Sequence, residues 1–356
     1  MDFEKFRRTG ELSDITVIVD KTEFKLHTFP LFTKSDYFKN AVASSKSSAP
    51  YVIRLDNQFP GGAEVFNLLA DYFYSIPITI DHKNIVSLRS AACFIQCDSL
   101  AASIDKRFDE ILLMARAKYD LGIPLVLLEQ CLGEYQQWAK QANIVDRCLE
   151  ALIESLVRGA GLQTSKNDRE MFTHLPLEWV MDLIKLCPHN NQHALVPFVK
   201  HYISVHVLDQ NPLLTTTENG GEHQSAFAPV IRRDNRQVKT NDEKREVLDQ
   251  IVKVLGNLFE QLPLAWLNSV YEKSIELRCE CQSQLSSYIT QGLLDSCDLD
   301  ENMENIPDDV MARLLERVSK HKEEHIKDPQ LLIKVCQFRF FSFNRSSSLF
   351  LVISID

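Results

Sequence analysis

The chain has 356 residues, of which 45% are hydrophobic and 25% charged, a globular balance with enough apolar side chain for two or three domains. Only 11 glycines are present, which argues against a barrel or sandwich built on glycine-rich turns and favours a mostly helical chain. The formal net charge of −10 argues against a basic nucleic-acid-binding body, and no apolar run reaches the length of a membrane span.

Strand and helix patterns alternate over the first hundred residues. β-Branched and apolar residues at 14–19 predict a buried strand, and the alternation that follows predicts its hairpin partner. In chain order the predicted elements are strand 14–19, strand 23–29, helix 30–42, loop 44–50, strand 51–55, helix 63–75, strand 76–80 and helix 82–97.

After residue 100 the strand patterns stop and only helical periodicity remains. The predicted helical segments are 104–119, 124–143, 144–159, 176–187, 194–208, 243–259, 263–289 and 308–325. Residues 209–243 are polar with few apolar anchors and predict a flexible, disordered insertion between helices. Residues 337–356 break the helical pattern and predict an irregular tail.

The tripeptide Pro60-Gly61-Gly62 stands between a predicted strand and a predicted helix. A phosphate-binding loop would require Gly-Lys-Ser/Thr at the helix start, whereas this chain continues with Ala63 and Glu64. We therefore predict a plain turn, with at least one of the two glycines at positive φ.

No motif for chemistry is recognisable, since the serine elbow, Walker, kinase and zincin motifs are all missing from the sequence. The nine cysteines are odd in number and scattered, which is typical of reduced thiols. Neither Cys93 with Cys97 nor Cys279 with Cys281 has a second pair at zinc-ribbon spacing, so core thiols are favoured. We expect no enzyme, no cofactor and no metal site.

Two stretches carry a family resemblance. "SDITVIV" followed by "EFKLHTFPLFTKSDYF" resembles the start of a BTB/POZ domain, with Asp14 before the first strand and His27 at the start of the first helix. "HTFPLFTKSDYF" and "FPGGAEVFNLLADYFY" are similar to the plant non-phototropic-hypocotyl family of phototropism signalling. The resemblance implies an α+β BTB/POZ domain at 1–105, an all-α domain at 106–336 and an unlike tail.

The resemblance also implies function, namely a non-catalytic, homodimeric adaptor of a cullin-3 ubiquitin ligase whose helical domain binds the substrate. It places the cullin-3 contact at Phe38, Val42, Tyr51, Tyr74 and the segment after Tyr74. It places Asp14 and His27 near the dimer interface or in a hydrogen bond that fixes the first helix.

A second function stays open, because the stretch "FKNAVASSKSSAPYV" lacks the apolar-x-Glu signature of many cullin-binding BTB domains. The alternative is a scaffold that links a membrane-associated photoreceptor kinase to its targets. Since the N-terminal residues have no apolar signal-peptide core, we expect a cytoplasmic protein, with peripheral association at the plasma membrane under the second hypothesis.

Overall fold

A computed structural model describes residues 3–44, 49–55, 59–159, 165–210, 239–295 and 310–313. The predicted tail, most of the predicted insertion and most of the predicted helix 308–325 lie outside the described residues. Residues 45–48 of the predicted loop 44–50 lie outside them as well.

The described residues form a small sheet and a long series of helices. The strands are β1 Ile15–Val19, β2 Thr22–Leu26 and β3 Tyr51–Leu55. The helices are α1 Phe3–Thr9, α2 Thr28–Lys34, α3 Asp36–Ala43, α4 Gly62–Phe73, α5 Ile85–Phe94, α6 Asp98–Lys118, α7 Gly122–Gln130, α8 Gln136–Gln141, α9 Ile144–Arg158, α10 Lys166–Phe172, α11 Leu177–Leu186, α12 Val196–His206, α13 Asn241–Leu255, α14 Leu264–Glu276 and α15 Gln282–Asp295. The predicted fold class, a small α+β domain followed by helices, is confirmed.

The chain divides into two compact units, residues 1–194 and residues 195–356. The long helix α6 runs across residue 105, where the sequence predicts the end of the first domain. In the first unit, Asp105 of α6 accepts from Arg89 of α5 at 3.1 Å and from Arg147 of α9 at 3.4 Å. These ion pairs tie the helices on either side of residue 105 together.

The three-stranded sheet has the order β2-β1-β3, with β1 antiparallel to β2 and parallel to β3. In the register of the sheet, Ile15 stands beside both Leu26 and Tyr51. Alternate residues of β1, namely Ile15, Val17 and Val19, are buried, as the predicted strand pattern requires.

The strand predicted over 76–80 is wrong, because these residues form no β-ladder in the described part of the chain. Pro77 has no N–H to donate to a neighbouring strand. Side chains bind the carbonyls instead, since Asn84 Nδ2 donates to Thr79 O at 2.9 Å and Arg107 Nε donates to Ile80 O at 3.3 Å. The apolar composition of the segment reflects partial burial without strand pairing.

Two predicted long helices are each divided in two. The segment 124–143 is interrupted at Gly133, whose φ is +68°, between α7 and α8. The segment 263–289 is interrupted by residues 277–281, where Arg278 has a φ of +56°. The left-handed Arg278 ends α14 because it turns the next N–H back towards the last turn of the helix. Cys279 and Cys281 therefore lie in an interhelical turn and not inside a helix.

The second unit is helical in its described residues. Thr240 and Glu243 form a reciprocal capping box at the start of α13, so this helix begins inside the last residues of the predicted insertion. The buried Lys244 ammonium pairs with the Asp209 carboxylate at 2.6 Å. Trp266 donates its Nε1–H to Ser204 at 2.9 Å, which joins α14 to α12. Across the parts of the chain described here, no helix combines the length and apolar character needed to cross a membrane.

Candidate partner-binding surface

Asp14 links the sheet to the start of α2. Its carboxylate accepts from the Thr28 N–H and from the Thr28 hydroxyl, both at 2.7 Å. Its backbone donates to Leu26 O at 3.2 Å and accepts from Tyr51 N at 2.9 Å. A carboxylate at a helix N-terminus satisfies free amides and faces the positive end of the helix dipole. The structure thus shows the helix-fixing hydrogen bond that the sequence leaves as one of two roles for Asp14.

His27 is held on three sides. Its backbone N–H donates to the Tyr74 hydroxyl at 2.9 Å, and its Nδ1 lies 2.6 Å from the same oxygen. Its Nε2 lies 2.8 Å from the Glu11 carbonyl oxygen. Because a carbonyl can only accept, Nε2–H donates to Glu11 O, and in the neutral ring Nδ1 then accepts from the Tyr74 hydroxyl. Burial raises the pKa of Tyr74 to about 12, which keeps the hydroxyl protonated as a donor.

Both half-buried side chains are therefore occupied by contacts within the first unit. Asp14 fixes α2, while His27 joins the segment before β1 to the end of α4. These contacts fix the local backbone of the first unit and do not depend on a bound partner.

Two of the predicted cullin-contact residues lie in the core. Phe38 is fully buried, with ring centroids 6.3 Å from Phe66 and 6.0 Å from Phe73, and Tyr74 is also buried. A buried ring cannot touch a partner directly, so these two residues shape the surface only through packing. Val42 and Tyr51 are half-exposed, and the segment 75–80 alternates between exposed and half-buried positions.

Three strongly exposed apolar side chains were not expected from the sequence. Leu12, Phe29 and Val52 are 84%, 68% and 61% exposed. They belong to the end of the sheet where β1 and β3 begin and β2 ends, because Ile15 is level with Leu26 and Tyr51. We call these three residues the apolar rim. Strand alternation was the available signal for Val52, which shares its face of β3 with the exposed Arg54. Phe29 was placed in the predicted strand 23–29, but β2 ends at Leu26 and Phe29 lies in α2.

A backbone hydrogen bond closes the turn that contains Leu12. Ser13 N–H donates to Gly10 O at 3.2 Å, and Leu12, at the third position of this turn, has a φ of +61°. That position favours glycine or asparagine, because a side chain at positive φ costs about 1–3 kcal/mol. A leucine held there and exposed to solvent is an apolar group that the fold presents outward.

Gly61 and Gly62 lie at φ +85° and +59°, so the predicted turn with positive φ is confirmed. The Asp20 carboxylate accepts from the Ala63 N–H at 3.2 Å, at the start of α4. An anionic side chain already faces the helix start where a phosphate would otherwise be attracted. This arrangement explains the Gly-Gly pair as a turn.

The first unit also matches a known family. A family model described as BTB/POZ domain matches residues 3–112. The N-terminal part of this chain is a BTB/POZ domain. The match agrees with the sheet and helix order over these residues, and BTB/POZ domains are typical of protein-interaction adaptors.

Similar plant proteins extend beyond the BTB/POZ domain. The chain is 26% identical over 298 residues to BTB/POZ domain-containing protein At3g08570 of Arabidopsis thaliana, covering 79% of this chain and 46% of that protein. It is 24% identical over 306 residues to BTB/POZ domain-containing protein SR1IP1 of the same plant, covering 80% and 49%. Identity reaches 38% over 93 residues with BTB/POZ domain-containing protein At3g44820, covering 26% and 14%. The chain spans about half the length of the first two relatives.

Proposed function

We propose that this chain is a non-catalytic adaptor of the plant phototropism-signalling family. Its BTB/POZ domain pairs two copies and binds cullin-3, and its later helices select the protein to be ubiquitinated. The observation that carries the proposal is the apolar rim of Leu12, Phe29 and Val52 on a domain typical of protein interactions. Exposed apolar patches, as distinct from single exposed apolar side chains, are characteristic of interaction surfaces.

The apolar rim is assigned to self-association. Two of its members, Leu12 and Phe29, flank the Asp14 and His27 contacts that fix the end of the sheet. Because those contacts pre-organise the backbone, pairing two copies requires little further ordering of the chain. A twofold pair would bury both copies of the same apolar surface.

Cullin-3 binding is assigned to Val42, Tyr51 and the segment 75–80. These are the predicted contact residues that reach the surface. Lys34 Nζ donates to Tyr72 O at 2.6 Å and to Ser75 Oγ at 3.0 Å, which fixes the beginning of that segment. Phe38 and Tyr74 support this surface from the core.

Substrate binding is assigned to the part of the chain after the BTB/POZ match, which ends at residue 112 within α6. Leu113 and Met114 on α6 are 65% and 53% exposed, although most apolar residues of this helix are buried. An apolar pair on the outer face of a helix suits docking of a partner helix or peptide.

A scaffold for a membrane-associated photoreceptor kinase is the second candidate function. It is favoured by one observation, the lack of the apolar-x-Glu signature between α3 and β3. A scaffold would retain self-association and the helical partner surface but would not bind cullin-3.

The test separates the two surfaces with two charge substitutions in the full chain. Phe29→Asp should weaken self-association at least about tenfold by light scattering, because it buries an unpaired charge in the pair. Val42→Asp should abolish the heat of binding to the cullin-3 N-terminal region while leaving the pair intact. Leu113→Asp, an equally drastic change on α6, is the matched control and should alter neither result.

The outcomes discriminate between the candidate functions. Micromolar or tighter cullin-3 binding that Val42→Asp removes supports the ligase adaptor. A stable pair that gives no heat with cullin-3 at tens of micromolar contradicts the ligase role and leaves the scaffold. A monomeric wild-type chain would overturn the assignment of the apolar rim.

A further inference from the structure

The turn between α14 and α15 brings two thiols and a carboxylate together. Ligand atoms of Asp249, Cys279 and Cys281 all lie within 4.8 Å of one another. Both cysteines are buried, at 5% and 4% exposure, and Asp249 is half-buried on α13. From their spacing alone the two cysteines were expected in the core, because no local pattern brings Asp249 beside them.

The backbone holds Cys279 at the end of α14. Its N–H donates to Ser274 O at 2.9 Å, and the N–H of Arg278 donates to Ile275 O at 3.1 Å. With Arg278 at φ +56°, these two bonds form a Schellman motif. These hydrogen bonds fix the backbone of Cys279 and therefore the position from which its side chain extends.

Cys281 is fixed by the start of the next helix. Its carbonyl accepts from the N–H groups of Gln284 and Leu285, both at 3.0 Å, so it stands at the N-terminal end of α15. Its own N–H donates to Asp249 Oδ1 at 2.9 Å. One bond therefore sets both the position of Cys281 and the orientation of the carboxylate.

We propose that Asp249, Cys279 and Cys281 form a binding site for a thiophilic divalent cation, with zinc as the metal of best fit. Zinc takes sulfur and carboxylate ligands in tetrahedral geometry, and three protein ligands leave the fourth position for water or an added donor. Two thiolates and one carboxylate give three negative charges, of which the cation neutralises two. The positive end of the α15 dipole at Cys281 favours the remaining negative charge.

The hydrogen bonding of the thiols agrees with this geometry. A hydrogen bond from the Cys281 thiol lowers the pKa of Cys279, and the same bond, together with burial, raises the pKa of Cys281. Zinc binds cysteine as the thiolate, so protons carried by the two thiols are released to the solvent when the metal binds.

A metal bound at this site would link three helices. Asp249 belongs to α13, whereas Cys279 and Cys281 join α14 to α15. A metal bound by the folded site and not by the unfolded chain stabilises the folded state by mass action. The site goes beyond the proposed adaptor function and would equally suit the scaffold.

The test uses the full chain, reduced and stripped of metal with a chelator. Titration with Co²⁺ should give thiolate-to-cobalt charge-transfer absorption, and Zn²⁺ should displace the cobalt at about one equivalent. Cys279→Ser and Cys281→Ser should each abolish the charge-transfer band or halve it, while Cys187→Ser, a buried thiol of the first unit, should leave it unchanged.

A further variant tests the site even if the serine variants fail to fold. Asp249→Asn keeps an oxygen to accept the Cys281 N–H but removes a charged ligand, so zinc affinity should fall at least about tenfold with unchanged circular dichroism. Absence of a charge-transfer band in the reduced wild type overturns the site. So does a band that survives both cysteine substitutions. Peptide mapping that finds a Cys279–Cys281 disulfide in a chain unable to bind cobalt would replace the metal site by a redox pair.

Discussion

Asp20 and Asp249 reach from distant elements to the first amides of a helix, one in each unit of the chain. Asp20 accepts from Ala63 N at 3.2 Å across 43 residues of sequence, and Asp249 accepts from Cys281 N at 2.9 Å across 32 residues. Each carboxylate satisfies a free amide and favours the positive helix end.

The two helix starts differ in what surrounds the carboxylate. Beside Asp20 stands Gly62, where an added Cβ would lie 2.7 Å from Asp20 Oδ2, so the turn is closed around the carboxylate. Beside Asp249 stand two thiols whose sulfurs face it. The comparison teaches that a capping carboxylate becomes a candidate site only where other ligand atoms converge on it.

The largest effect expected is for the turn beside Asp20. Gly61→Ala should lower the free energy of unfolding by about 3 kcal/mol, because left-handed strain and overpacking each cost about 1–3 kcal/mol. The added Cβ would lie 2.8 Å from Val65 Cβ and closer still to Val65 Cγ2. Urea unfolding followed by circular dichroism measures the change.

Gly133→Ala is the matched control for Gly61→Ala. Gly133 also has a positive φ, +68°, but an added Cβ would meet nothing within 4 Å. It should cost about 1 kcal/mol, from strain alone. Equal losses for the two variants would show that packing around Gly61 is not tight, and would weaken the contrast between the two helix starts.

A third helix start, at α2, extends the comparison. Asp14→Ala removes two 2.7 Å hydrogen bonds to Thr28 and should lower the free energy of unfolding by about 2 kcal/mol, since a lost cap costs about 0.5–2 kcal/mol. Asp36→Ala is the control, because Asp36 forms an exposed ion pair with Lys39 worth at most about 1 kcal/mol. If Asp14→Ala costs no more than Asp36→Ala, the carboxylate is not what holds α2.

Elements with one buried face were predictable from the sequence. The strand around Val17 shows this, because its alternation of apolar residues is local information. The segment around Pro77 and the turn at Arg278 were not predictable, since apolar spacing continues through both while the backbone leaves the regular conformation. Periodicity reports burial, and burial alone does not distinguish a helix from its interruption.

The candidate sites were less predictable than the fold. Asp14 and His27 were found through the family resemblance, and the sequence left open whether they bind a partner or fix a helix. Asp20 and Asp249 were missed because their contacts join residues far apart in sequence. The Cys-x-Cys spacing was the one available signal, and it becomes informative only when the fold brings a third ligand beside it.

The smallest change in the free energy of unfolding is expected for two aspartate-to-asparagine variants, which also distinguish a capping role from a metal-binding role once zinc is added. Asp20→Asn and Asp249→Asn both retain an oxygen that can accept the helix-start N–H. In the metal-free chain each should change the free energy of unfolding by less than about 1 kcal/mol, because only the charge at the helix end is lost.

The addition of zinc should raise the Tm of these two variants by different amounts. With saturating Zn²⁺ the wild type and Asp20→Asn should gain the same rise in Tm, since a ligand bound to the native state stabilises it by mass action. Asp249→Asn should gain less, because a neutral amide oxygen replaces the charged carboxylate ligand. Thermal unfolding with and without zinc measures both increments. Equal rises in Tm in the two variants would mean that Asp249 only caps the start of α15, as Asp20 caps the start of α4, and does not bind zinc.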